Sequence, residues 1–287
     1  MTRPDWVDAE ISAVSGPDWP LWPALLRYGA PLISLFGRVR VSTDFDPALR
    51  RGPLLVAANH IGNFDTVLVA VACRRVGVVP KFLVARGIMV APLIGPAMTR
   101  AGQIRVDRGR PDARFAMDVT EAALRHDGHV VAYPEGRISL DPELWPERGR
   151  TGLARLALRT RAPVIPVSQW GAHEVTAYED NAAMFRTTLR SIWRQPRLSV
   201  HFGVPVPLDD LDAGRHGDAH RAARRIVAAI TAGLAPLRSH EAGPPRYRDP
   251  TRPVVRGGTA AFPGGLAPPG LFVPRWTAEG QAERVPA

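Results

Sequence analysis

The chain has 287 residues, 45% of them hydrophobic, which is enough for a sizeable core in one large domain or two small ones. Its one cysteine, Cys73, excludes an internal disulfide and fits a reducing compartment. The formal net charge is +10 and Lys81 is the single lysine, so the excess is arginine, whose fork pairs with phosphate. Nucleic acid, an anionic membrane, a phosphorylated substrate and plain genome composition all accommodate that charge.

Residues 1–18 are polar and proline-bearing and read as irregular. Asp5, Asp8 and Glu10, with no apolar core between them, do not make a signal peptide. Residues 19–37 mix Trp19, Trp22, Leu25, Leu26, Arg27 and Tyr28. Such a mix suits a lipid headgroup layer, where rings sit half wet and half dry; it also suits an ordinary packing helix. Two charge-free stretches follow, 28–37 and 87–99. Both are shorter than the ~20 apolar residues a membrane span needs, and both contain proline.

From residue 38 to about 240 strand-like and helix-like stretches alternate. Strands are predicted over 38–43, 53–58, 80–85, 102–106, 129–133, 163–168 and 198–203. Several are continuous apolar runs, as strands covered on both faces are. Helices are predicted over 65–76, 112–126, 152–161 and 218–234, with Asp112 as an N-cap and Gly128 as a stop. The pattern predicts an α/β fold with a mainly parallel sheet of about seven strands flanked by helices. Residues 241–287 are dense in proline and glycine and read as a disordered or loosely attached tail. The expected organisation is an N-terminal interface segment over 1–37, a catalytic domain over 38–240 and a tail over 241–287.

Four segments carry chemistry. His60 and Asp65 follow the apolar run 54–58 with four residues between them. On a continuous helix this offset places the two side chains about 140° apart. If the strand ends near Asn59 and the helix starts near Asp65, the turn through Gly62 can fold the carboxylate onto the imidazole. His60 is then a general base held by Asp65; alternatively, Asp65 only caps its helix beside an unrelated histidine.

In 102–108, Arg108 ends a strand, where ligands gather in open α/β sheets; it is a phosphate candidate, or else a solvated arginine paired with Asp107 or Asp112. Tyr133-Pro134-Glu135-Gly136 is a sharp turn after an apolar strand, and it displays Glu135 toward a substrate hydroxyl or an arginine, or simply to water. Pro166 interrupts the apolar strand 163–168. A central strand disfavours proline, so an edge, a bulge or a surface packing an apolar ligand is expected there.

In this order and spacing the segments resemble the glycerophospholipid acyltransferase family, the lysophosphatidic acid acyltransferases in particular. His60 to Asp65 is similar to that family's His-x4-Asp motif, 102–108 to its second motif with a phosphate-binding arginine, and 133–136 to Phe-Pro-Glu-Gly. Residues 164–167 are similar to its fourth motif. The resemblance spans about residues 38–205. It implies transfer of a fatty acyl group from acyl-CoA or acyl-carrier protein to the hydroxyl of a lysophospholipid, 1-acyl-sn-glycerol 3-phosphate giving phosphatidic acid, or another lysolipid.

His60 and Asp65 are the implied catalytic residues. Arg86, Arg108, Glu135, Gly136 and Pro166 are the implied substrate-binding ones, with no metal and no cofactor. The third motif departs from the family pattern: Arg137-Ile138-Ser139 stands where Thr-Arg-Ser is usual, so that arginine's role is not carried to Arg137. Arg86 stands where a lysine is common. The expected partners are the acyl donor, the lipid acceptor and an anionic membrane surface, with no nucleic acid. The expected location is the cytoplasmic face of the plasma membrane, peripheral or monotopic. A basic lipid- or nucleic-acid-binding protein without turnover is the competing class.

Overall fold

The computed structural model describes residues 4–16, 19–92, 94–107, 115–141, 143–178, 181–241, 273–276 and 282–285. Helices α1 (Asp5–Ser15) and α2 (Leu21–Ile33) precede strand β1 (Arg38–Thr43). Then come β2 (Leu54–Ala58), α3 (Asp65–Arg75), β3 (Pro80–Ala85), the short helices α4 (Arg86–Met89) and α5 (Ile94–Arg100), and β4 (Ile104–Val106). Helix α6 (Phe115–Arg125), β5 (His129–Ala132), α7 (Thr151–Thr160) and β6 (Val164–Trp170) follow. Helix α8 (Asn181–Arg194), β7 (Arg197–Phe202) and α9 (Asp218–Leu237) complete the body.

The seven strands form one sheet in the order β1-β7-β6-β2-β5-β3-β4. β6, β2, β5, β3 and β4 are mutually parallel, in registers such as Val56 opposite Val131 and Ala57 opposite Pro166. β7 pairs antiparallel with β6 and parallel with β1, so the last two strands run against the other five. The α/β architecture is the one read from the sequence, and all seven predicted strands are present within one or two residues at their ends. The continuous apolar runs explain why. β2 is buried at every position, because helices cover both of its faces.

Alternation within β2 divides the core. Leu55 and Ala57 pack with Val130, Val164 and the inner sides of α1, α6, α7 and α9. Leu54, Val56 and Ala58 pack on the other face with Leu68 and Val69 of α3, Leu26 of α2, and Ile165 and Val167. Each fully buried Leu or Ile contributes roughly 1.5–3 kcal/mol relative to exposure.

Three expectations change. Residues 5–15 are helical rather than irregular. Val7 and Val14, two helical turns apart, are buried in the core, and Trp6 meets Phe115 edge-on at 6.3 Å. The interleaved acids hide this stripe from a polarity reading, yet one of them, Glu10, is itself buried and accepts the Arg105 backbone N–H at 2.9 Å. Helices α4, α5 and α8 were not predicted. Proline and glycine break the first two, and α8 turns its large apolar residues outward.

Pro166 is the third change. β6 lies between β2 and β7 rather than at an edge. The proline is tolerated because the β7 ladder ends at Phe202 opposite Val167, and Gly203 N–H then donates to the Pro166 carbonyl at 2.9 Å. In the tail, the described residues form one two-stranded antiparallel ladder, Val273–Trp276 with Ala282–Val285.

Candidate active site

The five parallel strands end on one edge, and the loops there carry the motif residues. β2 ends at Ala58, and the chain turns through Asn59–Phe64 before α3 begins at Asp65. Asp65 caps no helix end. Its carboxylate folds back instead, and Oδ2 accepts from His60 Nδ1 at 2.8 Å, from Ile61 N–H at 2.5 Å and from Gly62 N–H at 2.9 Å. The side chain is fully buried. The backbone donors fix the carboxylate, and the carboxylate fixes the ring. With Nδ1–H given to Asp65, the lone pair of His60 lies on Nε2. Gly62 serves by its size rather than by a left-handed backbone: a Cβ there would lie 3.2 Å from His173 Cα.

The loop is braced on every side. The Tyr133 ring stacks on the His60 imidazole, with centroids 4.1 Å apart and planes 19° apart. Its hydroxyl donates to Thr66 Oγ1 at 3.3 Å, and burial raises its pKa. Ser139 N–H donates to the His60 carbonyl at 2.7 Å, and its hydroxyl donates to the Trp145 carbonyl at 2.9 Å. Ile61 is buried with Leu144, Trp170 and Leu234. Beside them the Arg238 guanidinium lies 4.1 Å from the Trp145 ring and 4.2 Å from the Trp170 ring. Asn59 clamps the ends of β2 and β6, donating to the Gln169 carbonyl at 3.0 Å while its Oδ1 accepts from Gln169 N–H at 2.8 Å.

Glu135 sits differently from the expectation that it faces substrate. It is buried; Oε1 accepts from His60 N–H at 3.1 Å and Oε2 from Glu147 N–H at 2.9 Å. Burial raises its pKa to about 8, against the pull of those two N–H donors. The carboxyl therefore ties the loop after β5 to the loop after β2. Gly136 has φ +71°, a backbone conformation that favours glycine. Arg137 pairs with Glu147 at 3.0 Å.

Arg86 opens α4 at the end of β3, half-exposed, with Nε 3.8 Å from Asp107 Oδ2. Asp107 is forked by Arg105 through two bonds of 2.7 Å. Arg108 and Asp112 lie outside the described residues. Thus His60, Asp65, Glu135, Gly136 and Arg86 come together at one edge, whereas Pro166 lies within β6, with its carbonyl bonded to Gly203 N–H.

His60 lines a cavity of about 630 Å³ on the α2 and α3 face. Trp22, Leu26 and Ile33 of α2 form one wall, Val67 and Val71 of α3 another, and Phe82 and Val84 of β3 also line it. The sequence pointed to the dyad but not to its braces. Trp145 and Glu147 act through backbone atoms, and Ser139 meets His60 through its N–H; such contacts carry no signature in residue type. Tyr133 was visible only as the aromatic preceding Pro-Glu-Gly. Among the described residues no three His, Cys, Asp or Glu side chains group as a metal site requires, and no helix is long and apolar enough to cross a membrane.

The family model described as Acyltransferase matches residues 38–170, which hold the dyad, Arg86, Arg108 and the Glu135 turn. A 1-acyl-sn-glycerol-3-phosphate acyltransferase of Cocos nucifera is 26% identical over 172 residues, 55% of this chain and 51% of that protein. One from Limnanthes douglasii is 30% identical over 120 residues, 40% of each. The chain thus spans about half or less of these relatives. The crystal structure of the 1-acyl-sn-glycerophosphate acyltransferase PlsC from Thermotoga maritima shares the fold, with a TM-score of 0.53 and 14% identity. That match covers 83% of this chain and 85% of that one. Through residues 38–170, this chain is similar to the acyltransferase family.

Proposed function

We propose that the protein transfers a fatty acyl group from an acyl thioester, acyl-CoA or acyl-carrier protein, to the hydroxyl of a lysophospholipid, with 1-acyl-sn-glycerol 3-phosphate as acceptor and phosphatidic acid as product. The observation that carries this reading is His60, held by Asp65 through Nδ1 at 2.8 Å while the same residue lines an apolar cavity.

His60 Nε2 takes the proton of the acceptor hydroxyl as that oxygen attacks the thioester carbonyl. Asp65 holds the tautomer and stabilises the imidazolium that forms. As the tetrahedral intermediate collapses, the C–S bond breaks and the imidazolium proton passes to the leaving thiolate. The acceptor itself supplies the hydroxyl, so the protein forms no acyl-enzyme and the steps need no metal or cofactor. Arg86, at the end of β3, and Arg108 hold the acceptor phosphate; paired arginine N–H groups match phosphate oxygens, and fixing the acceptor makes attack effectively unimolecular.

Membrane docking supplies the acceptor. One side of α2 lines the cavity, while Leu21, Tyr28 and Leu32 are exposed. A helix apolar on both sides suits a lipid interface, and arginines favour an anionic one, here the cytoplasmic face of the plasma membrane.

The test is a purified sample assayed with acyl-CoA or acyl-carrier protein against lysophosphatidic acid, glycerol 3-phosphate and other lysolipids. Lysophosphatidic acid should be acylated fastest, and His60→Ala should lower turnover about 10²–10⁴-fold. Turnover unchanged in His60→Ala would sink the mechanism. Arg108→Ala should raise the acceptor KM or lower kcat with acyl-CoA binding kept; unchanged acceptor kinetics would remove the phosphate role.

A further inference from the structure

Helix α8 is built inside out. Phe185, Leu189 and Trp193 recur every four residues and are 68%, 41% and 78% exposed. Its buried residues are small, Ala183 and Ser191; Met184 and Ile192 are half-buried, and Thr187, Thr188 and Ser191 turn their hydroxyls onto carbonyls of their own helix. A globular surface helix shows the reverse pattern. A second row, Arg186, Arg190 and Arg194, lies one residue on from the apolar row and is also exposed, with Arg194 on Glu174 at 2.9 Å. The helix contains no acidic residue.

We propose that α8 is a second membrane-contacting helix, seated in the headgroup layer of an anionic bilayer beside α2. Three observations converge. Rings and Leu189 enter the acyl boundary while arginines meet phosphates, the arrangement of interfacial helices. The segments just past the two helices meet: Gln195 Nε2, after α8, donates to the Leu35 carbonyl, after α2, at 2.6 Å. At its other end it reaches the active-site loop, where Asn63, which lines the His60 cavity, donates to the Ala177 carbonyl at 3.0 Å and lies 4.0 Å from Met184 Sδ. A second copy of the chain fits less well. A two-fold contact through this stripe would set arginine rows against arginine rows, with no acid on either helix.

The proposal rests on the reading of α2 as membrane-facing and adds a surface that meets the cavity at Asn63. It is tested on the full chain by sedimentation with vesicles of phosphatidylglycerol and phosphatidylcholine, and with phosphatidylcholine alone. Phe185→Ser/Leu189→Ser/Trp193→Ser should lower partitioning about tenfold or more. Arg186→Gln/Arg190→Gln should lower it on anionic vesicles only, about fivefold for each arginine. Both variants should keep wild-type thermal unfolding and acylate a short-chain, monomeric lysophosphatidic acid as wild type does, while losing turnover on vesicle-borne acceptor.

Wild-type partitioning in both variants overturns the proposal. So does a wild-type dimer in light scattering that the serine variant makes monomeric. If Tyr28→Ser/Leu32→Ser abolishes binding and the α8 variants do not, α8 fails while the acyltransferase reading stands. If α8-dependent sedimentation appears with no acyl transfer to any acceptor, that reading fails and α8 stands.

Discussion

Asp65 opens the helix that follows β2, Glu135 stands in the turn after the neighbouring β5, and both bind backbone N–H groups of the loop between β2 and α3. Asp65 accepts from Ile61 and Gly62, and Glu135 from His60 and Glu147. Asp65 alone also touches the His60 ring. Glu135 has spent both oxygens on backbone, and burial has raised its pKa to about 8. Two carboxyls bonded to one histidine therefore divide the work. One governs the proton on the imidazole; the other governs where the imidazole's backbone stands. A motif lists them as equals, and only the identity of the bonded atoms separates them.

Breaking the ring contact should have the larger effect. Asp65→Asn keeps an acceptor for the loop but permits the wrong tautomer of His60. Turnover should fall about 10²–10⁴-fold with acceptor KM little changed. A variant within threefold of wild type, measured by initial rates, would put Asp65 outside the reaction.

Glu135→Gln should be smaller and of another kind. Its amide nitrogen must face one of two N–H donors, so unfolding in urea should show a loss of about 1–3 kcal/mol. Turnover should drop roughly tenfold through misplacement of His60, while the shape of the pH–rate profile stays. A raised acceptor KM at unchanged stability would instead make Glu135 a substrate ligand.

The smallest effect is in the pH dependence of stability. Glu135, at about 8, and Glu10, buried under the Arg105 backbone N–H and raised to about 7, both lie above an ordinary value of 4.5. Between those values the native state keeps protons that the unfolded chain has lost. ΔG of unfolding then falls as pH rises: the contribution is full below 4.5 and lost through 7 for Glu10 and through 8 for Glu135. The urea midpoint of wild type should therefore decline across that window more steeply than that of Glu10→Gln or Glu135→Gln. Equal slopes in all three would show that neither carboxyl holds its proton in the fold.

The strands were legible because each is a run of apolar residues closed by turn residues, and burial on both faces leaves little else for such a run to be. The dyad was legible as residue types at a spacing, but the choice between helix cap and general-base partner was not. That choice depends on the direction in which one carboxylate turns. Helix α1 escaped because Glu10 and the acids of its first turn dilute the stripe carried by Val7 and Val14. Helix α8 escaped because its apolar face points away from the core.

The sequence by itself determined the alternation of elements, the mainly parallel sheet and the order of the motifs, since those follow from local hydrophobic runs and turn chemistry. Tertiary structure decided the rest. It made Asp65 a partner of the imidazole and Glu135 a brace, placed Pro166 inside the sheet where the β7 ladder ends, and brought α8 to the rim of the His60 cavity. Each of these turns on contacts between segments far apart in the chain, which no local pattern encodes.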